Sequence, residues 1–300
     1  MKTVKTQRKF NLNYRIEVED INGDIHTFSS IENNYEIMNS IAIKVDIKKD
    51  NTTSANSCNI ELYNLGTTTR KLLKKSRLDT NINRIVRVYA GYQYDLVLIY
   101  TGTIEVASSE KQGTNFITKI QVRDDFAMLN STTQQTITKD YSKNPLILLA
   151  NDLKQTKIGA ISKNITPINI SSRGRVFNGK TWDLLRTNIK LAEIYIDNMQ
   201  LYIMKQNEVL NDYELVISNE SGMIGEPKEY DGYLEMSLIF EPLASLNHLV
   251  KVDSEIAPEY NGEYKVIGIQ HQFSIAKIGS QAGQSTTTIK VQYIKNMELV

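Results

Sequence analysis

Apolar and polar residues alternate along most of this chain, the period-two signature of strands with one buried face. In IAIKVDIKK, Ile41, Ile43, Val45 and Ile47 oppose Ala42, Lys44 and Asp46. In FITKIQV, Phe116, Thr118, Ile120 and Val122 oppose Lys119 and Gln121. Asn22-Gly23, between NYRIEVED and DIHTF, predicts a two-residue hairpin, since that turn needs positive φ. YQYD (92–95) predicts a second hairpin, between RIVRVYAG and LVLIYTGTIEVAS. TTTRKLLKKSR (67–77) predicts one short helix with Thr at its start. Residues 10–126 therefore read as one antiparallel β domain, sandwich or barrel, carrying a single helix.

The pattern changes over 127–210. NPLILLANDLKQ (144–155) predicts a helix opened by Pro145, with its apolar residues on one face. TWDLLRTNIKLA (181–192) predicts another, with Trp182, Leu185 and Ile189 on its buried side. EIYIDNMQLYIM reads as strand, Asp197-Asn198 turn, strand. From about 212 the pattern is β again, with turns at Asp231-Gly232 and Asn261-Gly262 and a polar hairpin tip at IGSQAGQS (278–285). The expected organisation is a first β domain over 1–131, an α/β insert over 132–211 and a second β domain over 212–300. The last of these is open to strands recruited from the insert.

Composition narrows the chemistry. A net charge of +1 argues against a nucleic-acid coat or a polybasic membrane surface. No apolar run approaches the ~20 residues of a membrane helix. Basic MKTVKTQRKF is followed by polar NLNYRIEVED where a signal peptide needs an apolar stretch, so neither export by that route nor a membrane anchor is expected. The single cysteine, Cys58, shares its strand face with Ile60 and Leu62 and reads as a buried, inert thiol. His26, His248 and His271 are the only histidines, too few and too scattered for an expected zinc site or nucleophile triad. His271 shares a face with Ile267, Ile269, Phe273 and Ile275, and reads as a hydrogen-bonded core residue rather than a ligand. Asp124-Asp125 reads as a turn, with a paired-carboxylate site as the alternative. The five positive charges of RKLLKKSR (70–77) read as a solvated helix face, or else as an electrostatic seam with another subunit. Sixteen tyrosines, many on strands, suit broad protein surfaces.

One stretch points elsewhere. In SSRGRVFNGKTWDLL (171–185), Gly174 and Gly179-Lys180-Thr181 complete a P-loop pattern. A working P-loop needs a buried parallel strand leading into it, and a Mg²⁺-positioning acid at the end of another strand. The preceding ITPINISS is polar and carries Pro167, and Asp197 is the one nearby acid. The expectation is a helix start with Thr181 as N-cap, and no catalytic, cofactor or metal site is assigned.

With these segments placed, the chain resembles the baseplate hub proteins of contractile phage tails and tailocins, the late control protein D or Mu-like hub family. The resemblance rests on ANSCNIELYNL (55–65), the helix bearing Arg70, VYAGY (88–92) and YTGTI (100–104) in the family's order. Further along it rests on Phe177-x-Gly179 followed by Trp182, Leu185 and Leu191, and on SGMIGEP (221–227). LIFEP (238–242), and GEYKV (262–266) with His271, complete it. Phe240-Glu241 depart from the family's Leu-Asn, and any spike or cell-wall enzyme is expected on a separate chain. The resemblance implies a mainly β fold, with two tail-tube-like antiparallel β-barrel domains flanking a small α/β region. It also implies a non-enzymatic homotrimer without cofactors, working in the virion tail baseplate after assembly in the host cytoplasm. Its implied partners are the tail tube protein, the central spike protein, baseplate wedge proteins and the tape measure protein, with no specific nucleic acid. The rival readings are a P-loop nucleotide-binding enzyme using 174–181 and a secreted β-rich carbohydrate-binding module.

Overall fold

In a computed structural model of the chain, the described residues are 2–3, 9–31, 41–51, 56–79, 83–124, 132–137, 157–165, 175–189, 192–210, 213–275 and 285–300. The first part of the chain forms β1 (Lys2–Thr3), β2 (Leu12–Glu19), β3 (Ile25–Ser29), β4 (Ile43–Asp50), β5 (Ser57–Tyr63) and helix α1 (Thr67–Leu73). It continues with β6 (Ile85–Tyr92), β7 (Asp95–Gln112) and β8 (Asn115–Arg123). The middle forms β9 (Thr132–Ile137), β10 (Lys157–Ile161), β11 (Arg175–Lys180), helix α2 (Thr181–Asn188), β12 (Glu193–Asp197), β13 (Gln200–Met204) and β14 (Glu208–Val209). The last part forms β15 (Tyr213–Ser218), β16 (Met223–Tyr230), β17 (Tyr233–Ile239), β18 (Leu249–Asp253), β19 (Gly262–Ile275), β20 (Thr286–Gln292) and β21 (Glu298–Leu299). The mainly β expectation holds: two α-helices stand among the described residues, and most neighbouring strands are antiparallel.

One sheet runs β15-β18-β19-β4-β5-β8-β7-β6-β2-β3, and β20, β17 and β16 branch from β19. The alternation read from sequence decides which face turns inward. Ile43, Val45 and Ile47 on β4 meet Cys58, Ile60 and Leu62 on β5 and Ile120 and Val122 on β8 in one buried cluster. The stretch of this path from β4 to β2 closes on itself through a side chain, because Tyr14 Oη on β2 donates to Ile41 O just before β4, at 2.7 Å. The sheet therefore curls around its apolar contents. A second cluster is enclosed by β15 to β20, with Ile217, Met236, Val252, Val266, Ile289 and Val291 at its centre. A smaller third one joins Leu185 of α2 and Ile189 just after it to Ile194, Ile196, Leu201 and Ile203 of the β12–β13 hairpin.

β19 belongs to two of these cores. Its first half carries Tyr264, Val266 and Ile269 into the second cluster, and Phe273 near its end enters the first. It pairs with β18 over Gly262–Lys265 and with β4 over Gly268–Ile275.

Three local expectations change. Helix α1 ends at Leu73 rather than 77, because Lys75 forms a β-bridge with Ala107. The β12–β13 turn is Asn198-Met199, both at positive φ (53° and 61°), which leaves Asp197 as a strand residue. Lys180, not Thr181, caps α2, and Thr181 is its first helical residue. The helix expected at 144–155 lies outside the described residues, as does the tip at 278–285 except for Ser285.

Candidate functional site

The P-loop pattern is built on a different geometry from the one its chemistry needs. Residues up to Gly174 lie outside the described residues, but β11 runs from Arg175 through Lys180. It pairs antiparallel with β9, setting Gly179 opposite Thr133 and Lys180 opposite Thr132. A phosphate-cradling loop needs a run of free backbone N–H groups between strand and helix. Here the strand passes directly into α2, so no such loop exists. Thr181 is fully buried beneath the helix start, which removes its hydroxyl from reach of a bound cation. Asp197, the other half of the nucleotide reading, points into a buried ion pair described below.

The remaining candidates are also absorbed by packing. Cys58 lies inside the first core, where burial pushes its thiol far up. His271 is buried, shares a 2.9 Å hydrogen bond with the Thr287 hydroxyl and tilts against Phe240. His26 pairs with Asp20 at 2.8 Å across the β2–β3 turn. Asp124 is buried and accepts from Asn56 Nδ2 at 2.9 Å, while Asp125 lies outside the described residues. Among the described residues no group of His, Cys, Asp and Glu has the spacing to hold a metal ion. Nor, among them, is any helix long and apolar enough to cross a membrane.

What the structure does concentrate is a buried polar seam where the two large β units and the β12–β13 hairpin meet. Its origin is visible on β4: the inward positions Ile43, Val45 and Ile47 continue to Lys49, so parity drives an ammonium inward. Lys49 Nζ pairs with Asp197 Oδ1 at 2.6 Å and donates to Asn198 Oδ1 at 3.1 Å. Asn198 Oδ1 also accepts from the backbone N–H of Thr101 on β7, at 3.0 Å. The hairpin tip is thereby fastened to two strands of the first unit, which accounts for a Met199 held in the left-handed region. Asn56, just before β5, donates to Ile196 O at 2.8 Å and accepts from Asp50 N at 2.9 Å.

A second ion pair faces the other unit. Lys265 on β19, fully buried, donates to Glu193 Oε2 at 2.7 Å and to Gln206 O at 2.9 Å. Burial pushes the Glu193 carboxyl up against the pull of Lys265, and it pushes the Lys265 ammonium down against the pull of Glu193. Asn51, at the end of β4, reaches Asn247 Oδ1 at 2.9 Å and closes the gap between these pairs. Burial also pushes His248 down to about 4, with Lys49 adding to the effect and Asp197 opposing it.

Phe240-Glu241, the departure from the family pattern, is compensated locally. Phe240 is buried in the first core, and its carbonyl accepts from Tyr92 Oη at 2.8 Å. Glu241 pairs with Lys9 at 2.9 Å. Sequence reading missed Lys49, Glu193 and Lys265, although the parity of IAIKVDIKK was a usable signal for Lys49. Such a seam is fit to set orientation, since every charge in it is held by partners from another element.

Comparison with known proteins agrees with a structural part. The chain is similar in fold to the prophage MuSo2 43 kDa tail protein of Shewanella oneidensis, with TM-score 0.56, 11% identity and coverage of 95% of this chain and 99% of that one. It is similar to a tail protein of Neisseria meningitidis MC58, with TM-score 0.53, 12% identity and coverage of 93% and 96%. A component of the E. coli type VI secretion system, described as structurally similar to the T4 tail proteins gp27 and gp5, gives TM-score 0.51, 8% identity and coverage of 85% and 74%. No curated protein matches the chain. The family model described as Baseplate hub gp41 matches residues 26–280, and the chain belongs to that baseplate hub family.

Proposed function

We propose that this protein is the structural hub of a contractile tail baseplate, a homotrimer that joins the sixfold tail tube to the threefold central spike. The observation that carries this reading is β19, one strand shared by two separately cored β units. Three copies of a chain with two such units place six similar units around an axis, which is the match a sixfold tube requires. The units must not swing against one another under load, and the shared strand and buried seam supply that stiffness. The proposed division is a first tube-like domain over 1–131, an insert over 132–211 and a second tube-like domain over 212–300. The last recruits Tyr195 and Met204 from the insert into its core.

In this reading the protein is not an enzyme, needs no cofactor, and meets tube, spike, wedge and tape measure proteins through its outer surfaces. The family and the tail-protein folds of its structural neighbours support it. Electron microscopy of the assembled particle tests it, with three copies ringing the axis between tube and spike as the expected result. Light scattering that finds a stable monomer, with the spike protein bound, overturns it.

A further inference from the structure

The two β units carry opposed charge on their outer surfaces. On the first, α1 packs on β7 and exposes Lys71 and Lys74, followed by Arg77 and a Leu78 that is 89% exposed. This surface is rigidly presented: Arg84 donates to Leu72 O at 3.0 Å and to Lys74 O at 2.9 Å, holding the helix C-terminus, and buried Lys75 donates to Ile104 O. Arg70 lies over the Phe116 ring, 3.9 Å from its centroid. Among the described residues the ion pairing of this basic surface is limited to Arg77 with Glu105 at 3.4 Å, a long and half-solvated contact.

On the second unit, the loop from β18 to β19 exposes Glu255, Glu259 and a 57% exposed Ile256. Its ends are tied by Ser254 N donating to Asn261 Oδ1 at 2.6 Å and Asn261 Nδ2 donating to Ser254 O at 3.2 Å. β16 adds exposed Glu226 and Glu229 beside it, and Tyr260 Oη donates to Glu229 Oε2 at 3.3 Å. Desolvation and then the charges of Glu229, Glu259 and Glu226 push the Tyr260 phenol up, which places these carboxylates within one local field.

We infer that these surfaces are the two halves of one contact between copies of this chain, the basic α1 face of one copy docking on the acidic 254–261 loop and β16 face of the next. The inference rests on the homotrimer reading above and names its subunit contact. In both halves hydrogen bonds hold the backbone of the helix end and of the loop, so little backbone order has to be acquired on docking. Each has one exposed aliphatic side chain, Leu78 or Ile256, and charge mostly of one sign: Asp79 is the acid among the basic residues, and Lys228 the base between Glu226 and Glu229. Complementary patches at different places on one chain make a head-to-tail contact, the kind a closed ring of three copies uses, rather than a two-fold one. Charge at the rim sets partner choice and orientation, and it weakens with added salt.

Charge reversal in the full chain, with the spike protein present, tests this. Lys71→Glu/Lys74→Glu and Glu255→Lys/Glu259→Lys are each expected to weaken self-association by roughly tenfold or more at low salt, and the four-fold variant to restore it. Carbodiimide coupling of mixed isotope-labelled and unlabelled wild-type chains is expected to join Lys71 or Lys74 of one copy to Glu255 or Glu259 of another. These positions are exposed, so circular dichroism should match the wild type in every variant. A trimer that survives both reversals, or that yields cross-links elsewhere only, overturns the contact and leaves the hub reading standing. A wild-type chain that stays monomeric on the spike overturns both.

Discussion

At the scale of single residues, the 174–181 stretch shows how a pattern of residue types is overruled by what surrounds it. Lys180 is exposed and paired through its backbone to Thr132, whereas Leu185 is fully buried and Trp182 only partly so. Lys180→Ala should therefore leave the urea midpoint nearly unchanged, and titration calorimetry with ATP and Mg²⁺ should give no saturable heat before or after the change. Leu185→Ala should cost about 2–5 kcal/mol in the same denaturation, the range for deleting a buried leucine side chain. Gly91 is a second decisive position. A Cβ there would stand 1.9 Å from Asp95 O, a backbone atom that cannot step aside without opening the β6–β7 hairpin. Gly91→Ala should destabilise by about 1–3 kcal/mol, visible as a lowered thermal midpoint.

Among elements, the arrangement depends on β4, β19 and the β12–β13 hairpin meeting at Lys49, Asp197, Glu193 and Lys265. Lys49→Ala leaves the Asp197 carboxylate in a buried site without its cation, and should cost about 3–5 kcal/mol. Lys49→Met combined with Asp197→Leu removes both charges and should be clearly milder than the single change. Chemical denaturation of the three proteins checks the order, and equal losses would mean that the seam contributes packing rather than charge pairing. Period two made the strands of this region legible in advance. The pairing of β19 with β4 was not, because those residues lie more than two hundred positions apart and no local signal links them. The Asn198-Met199 turn was missed by one position, since a methionine at positive φ is tolerated only because tertiary hydrogen bonds hold its neighbour.

Over the whole molecule, stability should depend on pH through two histidines held neutral by desolvation, His271 buried and His248 half-buried. Burial lowers His248 to about 4 and His271 to about 3, in both cases with Lys49 adding to the shift. The unfolded chain protonates its histidines near 6.5, so it binds more protons than the folded one below that pH. Their contribution is complete above about 6.5 and is lost as pH falls towards 4 and then 3, on the order of 3 kcal/mol for His248 and about 5 kcal/mol for His271. Urea unfolding followed from pH 7 to 4 should show the midpoint falling. A His248→Gln/His271→Gln protein should show a shallower fall over the same window.

Local periodicity was enough to establish a mainly antiparallel β chain, because which face of a strand is buried is written residue by residue. The order of short motifs was enough to point to the baseplate hub family, though none of them is distinctive alone. Other features were decided by the tertiary structure. It turned Lys49 and Lys265 from apparent surface lysines into buried partners, and it ran a nucleotide-like motif into an antiparallel pair. It also set a basic helix and an acidic loop on different units. The physical reason is the same in each case: a residue's charge and size are local, but the solvent and partners it meets are supplied by segments far away along the chain.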